Sequence, residues 1–343
     1  MAYTTINKST DYFNTKLYTG NGSTNAITGV GFQPDWIWIK SRSDTSNHRI
    51  YDYIRGGTKT LYSNLTNDEG TNSDAITSFN SDGFTLGGNA QSNGNGLSLA
   101  SWNWKANGQG SSNTDGSINT TYTSVNTTAG FSIVSYTGNG TSGATVGHGL
   151  GVKPSMFIVK GRNIAEQWEV YHTSLGATKN LSLDSTNAAA TQSSRWNNTE
   201  PTTSVFSLGN SGATNNNGNT YIAYCFAEKK GYSKFGSYTG NGNADGTFVY
   251  TGFKPAFLII KKTNAAKNWF LHDDKRLGYN PSNSYVNPNL SAAEYAGTDL
   301  DIVSNGFKMK STGGGHNENG HTYIYMAFGQ SLVGSNNVPC TAR

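Results

Sequence analysis

Charge is scarce in this sequence. The 25 Lys and Arg together with the 21 Asp and Glu make up 13% of the 343 residues, about half of the roughly 25% found in ordinary globular domains. Basic residues never form a run longer than a pair such as Lys229-Lys230, whereas proteins that bind nucleic acid gather them on one face. We therefore expect no nucleic-acid partner. The abundance of Gly, Asn, Ser and Thr, all poor in helix interiors, excludes a coiled coil.

Long apolar runs and cysteine are scarce as well. Runs such as Ala256–Ile260 are far shorter than the roughly 20 residues that cross a bilayer, so we expect no membrane insertion. Cys225 lies in an alternating strand pattern and Cys340 lies near the end of the sequence, which predicts reduced thiols and no disulfide framework. Aromatic residues make up 12% of the chain, and their regular spacing excludes a disordered protein.

An internal repeat organises the sequence. The pentad Tyr-Thr-Gly-Asn-Gly occurs three times, at Tyr18–Gly22, Tyr136–Gly140 and Tyr238–Gly242. A block that begins Gly-X-X-Pro and continues as an apolar run follows each pentad, at Gly31–Lys40, Gly151–Lys160 and Gly252–Lys261. An alternating aromatic block closes each copy, at Leu97–Lys105, Tyr221–Phe226 and Tyr323–Phe328. Because the order and spacing of the blocks are kept, the repeat unit is predicted to be a domain.

The repeat blocks predict strands. Short runs of aromatic and β-branched residues are bounded by Gly, Asn and Pro, as is typical of strands and their turns. We therefore predict an all-β fold of three tandem antiparallel β-sandwich domains of the jelly-roll or lectin-like kind. The connectors Ala106–Asn113 and Glu228–Gly231 divide the chain at residues 1–107, 117–228 and 229–343, the last with a C-terminal tail. They predict three domains with separate cores, joined like beads on a string.

Sequence patterns for catalysis are weak. Gly138–Gly143 matches G-x-G-x-x-G, but a strand is predicted after it where a dinucleotide site needs a helix. No G-x-S-x-G nucleophile elbow occurs, and Cys225 is predicted to be a small buried hydrophobe. One repeat position holds Asp52, His172 and Asp273, which predicts a structural polar contact. We assign no catalytic residue and no cofactor, and we expect a protein that is not an enzyme.

The loop Gly313–His321 is the one weak candidate for a metal site. It holds two imidazoles and a carboxylate, whereas zinc sites usually bring Cys or more His. We therefore assign no metal site.

Three blocks of the first repeat carry a family resemblance. They are Thr10–Gly22, Gly31–Arg42 and Tyr51–Gly57. These blocks resemble the tandem-repeat β-domain virion structural, tail-fibre-like proteins of marine tailed bacteriophages, particularly those of cyanobacterial hosts. The resemblance extends through the whole chain, including Tyr232–Tyr238 and Asn337–Arg343. It implies a virion structural protein on the particle surface, made and assembled in the host cytoplasm.

The resemblance implies contact with other virion proteins and, in a tail fibre or appendage, with a receptor or glycan on the host surface. Sugar binding uses an aromatic ring beside amides, and loops that differ between the repeats are where such contacts are expected. The candidate binding residues are Trp196, Asn197, Asn198, Asn93, Asn95, His316 and His321. Trp196 is the first choice among them, and the alternative is that its ring folds back to plug the second sandwich.

Capsid decoration and glycan depolymerisation are the alternative functions. A decoration protein needs a large apolar footprint on the shell, and a depolymerase needs two carboxyl groups about 5 to 10 Å apart. We expect a homo-oligomer, because virion attachments follow the symmetry of their site. We also expect a docking tail at Met1–Thr15 or at Val338–Arg343.

Overall fold

The computed structural model describes residues 4–276, 280, 284–331 and 333. Strands make up 41% and helices 5% of the structure, and its sheets are antiparallel, which confirms the predicted all-β class. Cys340 and the proposed docking tail Val338–Arg343 lie outside the described residues.

The first repeat has a four-stranded main sheet and a three-stranded small sheet. Its elements are a 3-10 helix (Ser9–Asp11), β1 (Phe13–Thr19), β2 (Asn25–Ile27), β3 (Trp36–Ser41), β4 (Arg49–Asp52), β5 (Lys59–Thr60), β6 (Gly70–Thr71), β7 (Ile76–Asn80), β8 (Gly83–Leu86), α1 (Ala90–Asn93) and β9 (Ser98–Trp104). The main sheet has the order β1-β9-β3-β4, the small sheet has the order β2-β8-β7, and β5 pairs with β6.

The second repeat has the same plan with a longer main sheet. Its elements are β10 (Tyr122–Asn126), β11 (Phe131–Thr137), β12 (Ala144–Gly147), β13 (Met156–Gly161), β14 (Glu169–His172), β15 (Lys179–Ser182), β16 (Ala190–Thr191), α2 (Ser193–Trp196), β17 (Val205–Leu208), α3 (Gly212–Asn215) and β18 (Thr220–Phe226). The main sheet has the order β10-β11-β18-β13-β14-β15-β16, and β12 pairs with β17. In the part of the chain that the structure describes, this repeat alone adds a strand, β10, outside the strand that carries the pentad.

The third repeat returns to the plan of the first. Its elements are β19 (Ser233–Thr239), β20 (Phe248–Tyr250), β21 (Phe253–Lys262), β22 (Trp269–Asp273), β23 (Tyr285–Val286), β24 (Leu300–Val303), β25 (Gly306–Met309) and β26 (Thr322–Ser331). The main sheet has the order β19-β26-β21-β22-β23, and the small sheet has the order β20-β25-β24.

Each main sheet buries both of its faces. In β3, Trp36 and Trp38 belong to one core and Ile37 and Ile39 to another, because successive side chains of a strand point to opposite faces. The other repeats follow the same pattern, with Met156 and Ile158 opposite Phe157 and Val159, and with Phe257 and Ile259 opposite Leu258 and Ile260. One face of each main sheet packs on the small sheet of the same repeat; we call it the outward face and the core beneath it the outer core. The opposite face is the inward face.

The inward faces of all three main sheets meet in one central core. The Phe13 ring stacks on Phe328 of the third repeat with centroids 5.7 Å apart. Trp36 stacks on Tyr224 of the second repeat at 4.7 Å, and Phe226 lies edge-on to Phe328 at 5.9 Å. Every pair of repeats is therefore in direct aromatic contact. The prediction of three domains with separate cores is wrong, because the inward faces of the three main sheets pack on one another in one core. Separating one repeat would expose this core to water.

The repeats contact one another in a closed ring. A loop of each repeat donates a backbone hydrogen bond to the repeat after it, and the third repeat does so to the first. The three bonds run from Glu69 N to Arg162 O (2.7 Å), from Ala189 N to Thr263 O (2.8 Å) and from Glu294 N to Arg42 O (2.9 Å). The chain is thus arranged with pseudo-threefold symmetry.

Three buried lysines occupy equivalent positions, and two of them bond to a loop of the preceding repeat. Lys160 Nζ donates to Thr66 O of the first repeat at 3.0 Å. Lys261 Nζ donates to Thr186 O of the second repeat at 2.9 Å. Their equivalent Lys40 donates to Ser41 O within its own repeat at 2.6 Å. Burial makes charge on these ammonium groups costly, so carbonyl oxygens must supply their hydrogen bonds.

The repeat position of Asp52, His172 and Asp273 lies at the boundaries of the ring. The contacts are Tyr224 Oη donating to Asp52 Oδ2 (2.7 Å), His172 Nε2 with Tyr325 O (3.2 Å) and Trp102 Nε1 donating to Asp273 Oδ2 (3.0 Å). Each of these partners belongs to the next repeat around the ring. The predicted structural polar contact is therefore confirmed.

Ion pairs close two of the three boundaries. Arg55 pairs with Asp52 at 2.5 Å and with Glu69 at 3.2 Å, and Arg162 of the second repeat pairs with Glu69 at 3.0 Å. The third-to-first boundary has the same network, formed by Arg276, Asp273, Glu294 and Arg42. At the second-to-third boundary the residues equivalent to Arg55 and Glu69 are Leu175 and Ala189, which pack against the central core.

Arg55→Leu is expected to lower the free energy of unfolding by about 3–5 kcal/mol, because it leaves the buried Asp52 carboxylate without its cationic partner. Chemical denaturation measures this change. The matched control is the double variant Asp52→His/Arg55→Leu, which installs the His172 and Leu175 pair of the second repeat. The double variant should recover at least half of the loss. A double variant less stable than Arg55→Leu would contradict the proposed equivalence of the boundaries.

Stability is expected to rise between about pH 7 and about pH 9. Burial lowers the pKa of Lys40 and Lys160 to about 8 and that of Lys261 to about 7, whereas an unfolded lysine titrates near 10.4. The unfolded chain therefore binds more protons in this window, and the unfolding free energy gains up to about 1.4 kcal/mol per pH unit for each lysine that is neutral in the fold. Denaturant titrations across the window measure the slope. Lys261→Met should reduce it, and an unchanged slope would contradict this assignment.

Candidate functional site

The repeated pentad forms the same turn in each repeat. Its second glycine has a positive φ that other residues rarely adopt, namely 68° at Gly22, 70° at Gly140 and 64° at Gly242. Its tyrosine donates a 2.7 Å hydrogen bond to a carbonyl of the facing segment, from Tyr18 to Ser92 O, from Tyr136 to Thr214 O and from Tyr238 to His316 O. The most repeated motif of the sequence therefore serves the fold.

A buried asparagine in the facing segment holds each pentad. Its Oδ1 accepts from the backbone N–H of the pentad asparagine, in the pairs Asn93 with Asn21 (3.1 Å), Asn215 with Asn139 (2.9 Å) and Asn317 with Asn241 (3.0 Å). Its Nδ2 donates to backbone carbonyls on the other side, including Gly87 O, Gly209 O and Ser311 O. These amides fix the positions of two neighbouring turns at the end of each main sheet.

Those neighbouring turns are the candidate site, and we call them the tip loops. They are Asn21-Gly22 with Asn95-Gly96, Asn139-Gly140 with Asn217-Gly218, and Asn241-Gly242 with Asn319-Gly320. All six of their asparagines are exposed. The Oδ1 atoms of Asn21, Asn139 and Asn241 accept hydrogen bonds within their own turns, from Ser23 N, Thr141 N and Asn243 N. The exposed amides of Asn95, Asn217 and Asn319 offer donors and acceptors without charge, which suits hydroxyl-rich ligands.

Burial contradicts a ligand contact by Trp196. The residue ends α2 and is fully buried in the outer core of the second repeat. Its indole lies edge-on to Phe157 with ring centroids 4.8 Å apart. No face of the ring is open to a sugar. The position of Trp196 agrees with the alternative interpretation, in which the ring folds back to plug the second sandwich.

Asn93 and His316 are also buried, which contradicts a role for them in surface binding. Asn93 holds the first pentad as described above. His316 Nε2 lies 3.0 Å from His272 Nε2, and its ring packs on Phe270 with centroids 4.3 Å apart. Burial lowers the pKa of His316 to about 4, so the ring is neutral at ordinary pH. Both residues lay in segments with loop-like sequences, and their burial depends on contacts with distant parts of the chain.

The other predicted residues lie at or beside the tip loops. Asn95 is part of the first tip loop, and Asn198 is exposed. Asn197 is half-buried beside the second tip loop, where its Oδ1 accepts from Ser142 Oγ at 3.0 Å. His321 is half-buried near the third, with Nδ1 3.0 Å from Asn264 Oδ1. The structure thus places these four residues at three separate tips of the ring.

The sequence reasoning missed Asn217 and Asn319, the equivalents of Asn95. Each of the three precedes a glycine and lies a few residues before the last strand of its repeat. Aligning the repeats backwards from the aromatic blocks would have found them.

Carboxylates away from the tip loops serve structural contacts. Burial alone would raise the pKa of Asp273, but Arg276 and several hydrogen bonds hold it below its ordinary value. Burial raises the pKa of Glu169 to about 7, even though Arg195 lies 2.9 Å away. Cys225 is buried as predicted, and burial raises the pKa of its thiol.

An open groove of about 360 Å³ lies between the first and third repeats. Its described lining residues are Asn14, Thr15, Lys16, Leu17, Gly29 and Lys275, which include two cations and no acid. In the part of the chain that the structure describes, no three His, Cys, Asp or Glu side chains come together as a metal site. Within the same residues no helix has the length and apolar character needed to cross a membrane.

The fold and the tip loops define an all-β protein of three repeats closed around one core. A family model described as a domain of unknown function (DUF7483) matches residues 8–331, and the chain belongs to this family. The match spans all three repeats as one unit, as the central core does. No curated protein and no solved structure matches the chain.

The variants Asn93→Ala and Asn95→Ala form a matched pair. They compare the stability effect of removing the buried, hydrogen-bonded asparagine with that of removing the exposed one. Asn93→Ala should lower the free energy of unfolding by about 2–4 kcal/mol, because it leaves several buried backbone groups without partners. Asn95→Ala should change it by less than about 0.5 kcal/mol, as is usual for exposed residues. Thermal unfolding followed by circular dichroism measures both. Equal effects would contradict the assigned roles.

Proposed function

We propose that this chain is a structural protein of a bacteriophage virion that lies on the particle surface and has no catalytic activity. Within that class we propose a tail fibre or appendage protein that binds the host cell surface. Its partners are then other virion proteins and a host glycan or receptor, and it assembles as a homo-oligomer in the host cytoplasm. Each repeat, with its main sheet packed on a small sheet, is proposed to be a lectin-like β-sandwich.

The repetition of the tip loops carries this proposal. Six exposed asparagines lie in three equivalent pairs on a scaffold fixed by a shared core. Single amide contacts with sugar hydroxyls are weak, but three sites on one rigid body can engage a repetitive surface together and gain avidity. A host surface coated with a polymeric glycan is such a target.

The distribution of apolar surface favours an appendage over capsid decoration. Among the described residues the exposed large hydrophobic side chains are Leu17, Tyr122, Val152, Phe248, Tyr250, Tyr295 and Val333. They come from all three repeats, and only Phe248 and Tyr250 share a strand. A stable attachment to the shell would need roughly 800 Å² on this chain, with a well-packed apolar centre.

The positions of the acids give no support to a depolymerase. Such an enzyme needs one carboxylic acid and one carboxylate facing an open cleft. Asp52 and Asp273 are instead buried against arginines, and the groove between the first and third repeats is lined by lysines.

Immunolabelling of intact virions followed by electron microscopy tests the proposal. Label is expected on the tail or its fibres. Label spread over the head would show a decoration protein and would reject the receptor hypothesis, and the absence of label from particles would reject a virion role altogether.

A glycan array with the purified chain tests the tip loops directly. The triple variant Asn95→Ala/Asn217→Ala/Asn319→Ala should lose at least about ten-fold in apparent affinity, because avidity falls with every weakened site. Asn107→Ala, an exposed asparagine outside the tip loops, is the control and should bind as the unmodified chain does. Unchanged binding by the triple variant would remove the tip loops from the proposal.

A further inference from the structure

The second repeat covers two strand edges whose equivalents in the third repeat have no partner strand among the described residues. In the second repeat, residues 111–126 run along β11 and β12. Thr121 N donates to Ser135 O at 2.7 Å, which continues the ladder between β10 and β11. Ile118 N donates to Thr145 O at 2.9 Å, as part of a parallel bridge to β12. One extended segment therefore covers both edges, and its Ile118 side chain is buried in the outer core.

The repeats show which residues of the third repeat lie at the same places. The pentads align Ser135 with Ser237, because each of these residues precedes the pentad tyrosine. The pairing of Val146 with Phe206 matches that of Val249 with Phe307. Phe248 is then equivalent to Thr145, and Tyr250 is equivalent to Gly147. We call Ser237, Phe248 and Tyr250 the open edge.

The backbone of the open edge points away from its own sheets. Thr247 O accepts from Met309 N and Thr251 N donates to Asn305 O, each at 3.0 Å. In an antiparallel ladder alternate residues face the partner strand, so the backbone groups of Phe248 and Tyr250 face outward. The bonds from Gly329 N to Tyr232 O and from Gly240 N to His321 O place Ser237 outward in the same way. Among the described residues, no segment pairs with these three outward positions.

Large aromatic side chains mark the open edge of the third repeat alone. Phe248 is 47% exposed and Tyr250 is 50% exposed. The first repeat has Ala26 and Thr28 at the equivalent exposed positions. An unpaired edge strand with exposed aromatics is a site that folded proteins usually cover or protect with charge.

The charges around the open edge complement those of the covering segment. Lys234 lies over the Tyr250 ring at 5.4 Å, and Lys308 and Lys310 flank β20, with Asp245 between them. Three cations and one carboxylate thus lie around the open edge. Residues 111–126 contain one acidic residue, Asp115, and no Lys or Arg.

We propose that the open edge docks an extended segment of another polypeptide, which adds a strand along β20 as residues 111–126 do along β12. Main-chain hydrogen bonds to Phe248 O and Tyr250 N supply affinity, and alternate side chains of the added strand contact the two aromatic rings. The partner strand carries small polar residues, one aliphatic residue that reaches toward Val249, and an acidic residue facing the lysines. A second copy of this chain is the competing occupant.

A fluorescent peptide with the sequence of residues 111–126 tests the proposal on the full chain. Saturable binding is expected, measured by fluorescence polarisation. Tyr250→Pro should weaken it by at least about ten-fold, because proline removes the outward N–H and leaves the ladder to β25 intact. Phe248→Lys should weaken it similarly, and this variant keeps the test valid if the proline variant does not fold.

Thr28→Pro makes the same change at the equivalent position of the first repeat and is the matched control. It should leave binding unchanged. Absence of binding, or binding that neither Tyr250→Pro nor Phe248→Lys weakens, would overturn the proposal, because the peptide would then bind elsewhere or displace the native segment from β12. A dimer detected by sedimentation and abolished by Tyr250→Pro would overturn it in favour of a second copy.

Discussion

Trp36, Trp38, Trp102 and Trp104 pack with side chains from the other two repeats in one core, and the rest of the structure depends on this packing. A sheet that buries both faces cannot remain folded alone, because one apolar face would be left in water. Each repeat can satisfy its outward face with a small sheet of its own. Its inward face needs both neighbours, so three repeats form the smallest unit that is complete.

Closure of the ring forces polar groups into the interior. Loops must cross from one repeat to the next, and their backbone groups need partners where water is excluded. Buried lysines and two ion-pair networks supply those partners, and Leu175 and Ala189 replace the ions at the boundary between the second and third repeats. Among the described residues no ion pair joins the second and third repeats, which shows that the ring does not require an ion pair at every junction. Apolar packing there gives a junction without the cost of burying ions.

The three repeats are alike in the central core and in the tip loops, but they differ at the edges of their sandwiches. This difference suggests that the tip loops and the edges bind different partners. The tip loops are fixed by the same buried asparagine in every repeat, so they present the same chemistry three times. The sandwich edges differ: a segment of the chain covers the edge in the second repeat, small residues line it in the first, and Phe248 and Tyr250 are exposed on it in the third. A repeated ligand suits the tip loops, whereas a single partner strand suits one edge.

The sequence by itself determined the repeats, the all-β class, the structural role of the position shared by Asp52, His172 and Asp273, and the burial of Cys225. These features depend on local turn chemistry and on the alternation of side chains along a strand, both of which can be read over a few residues. Only the tertiary structure decided that the three repeats share a core, that Trp196, Asn93 and His316 are buried, and that no described segment covers the edge where Phe248 and Tyr250 are exposed. Those outcomes depend on contacts between residues up to hundreds of positions apart, such as Phe13 with Phe328, and no local pattern specifies which apolar face will meet which.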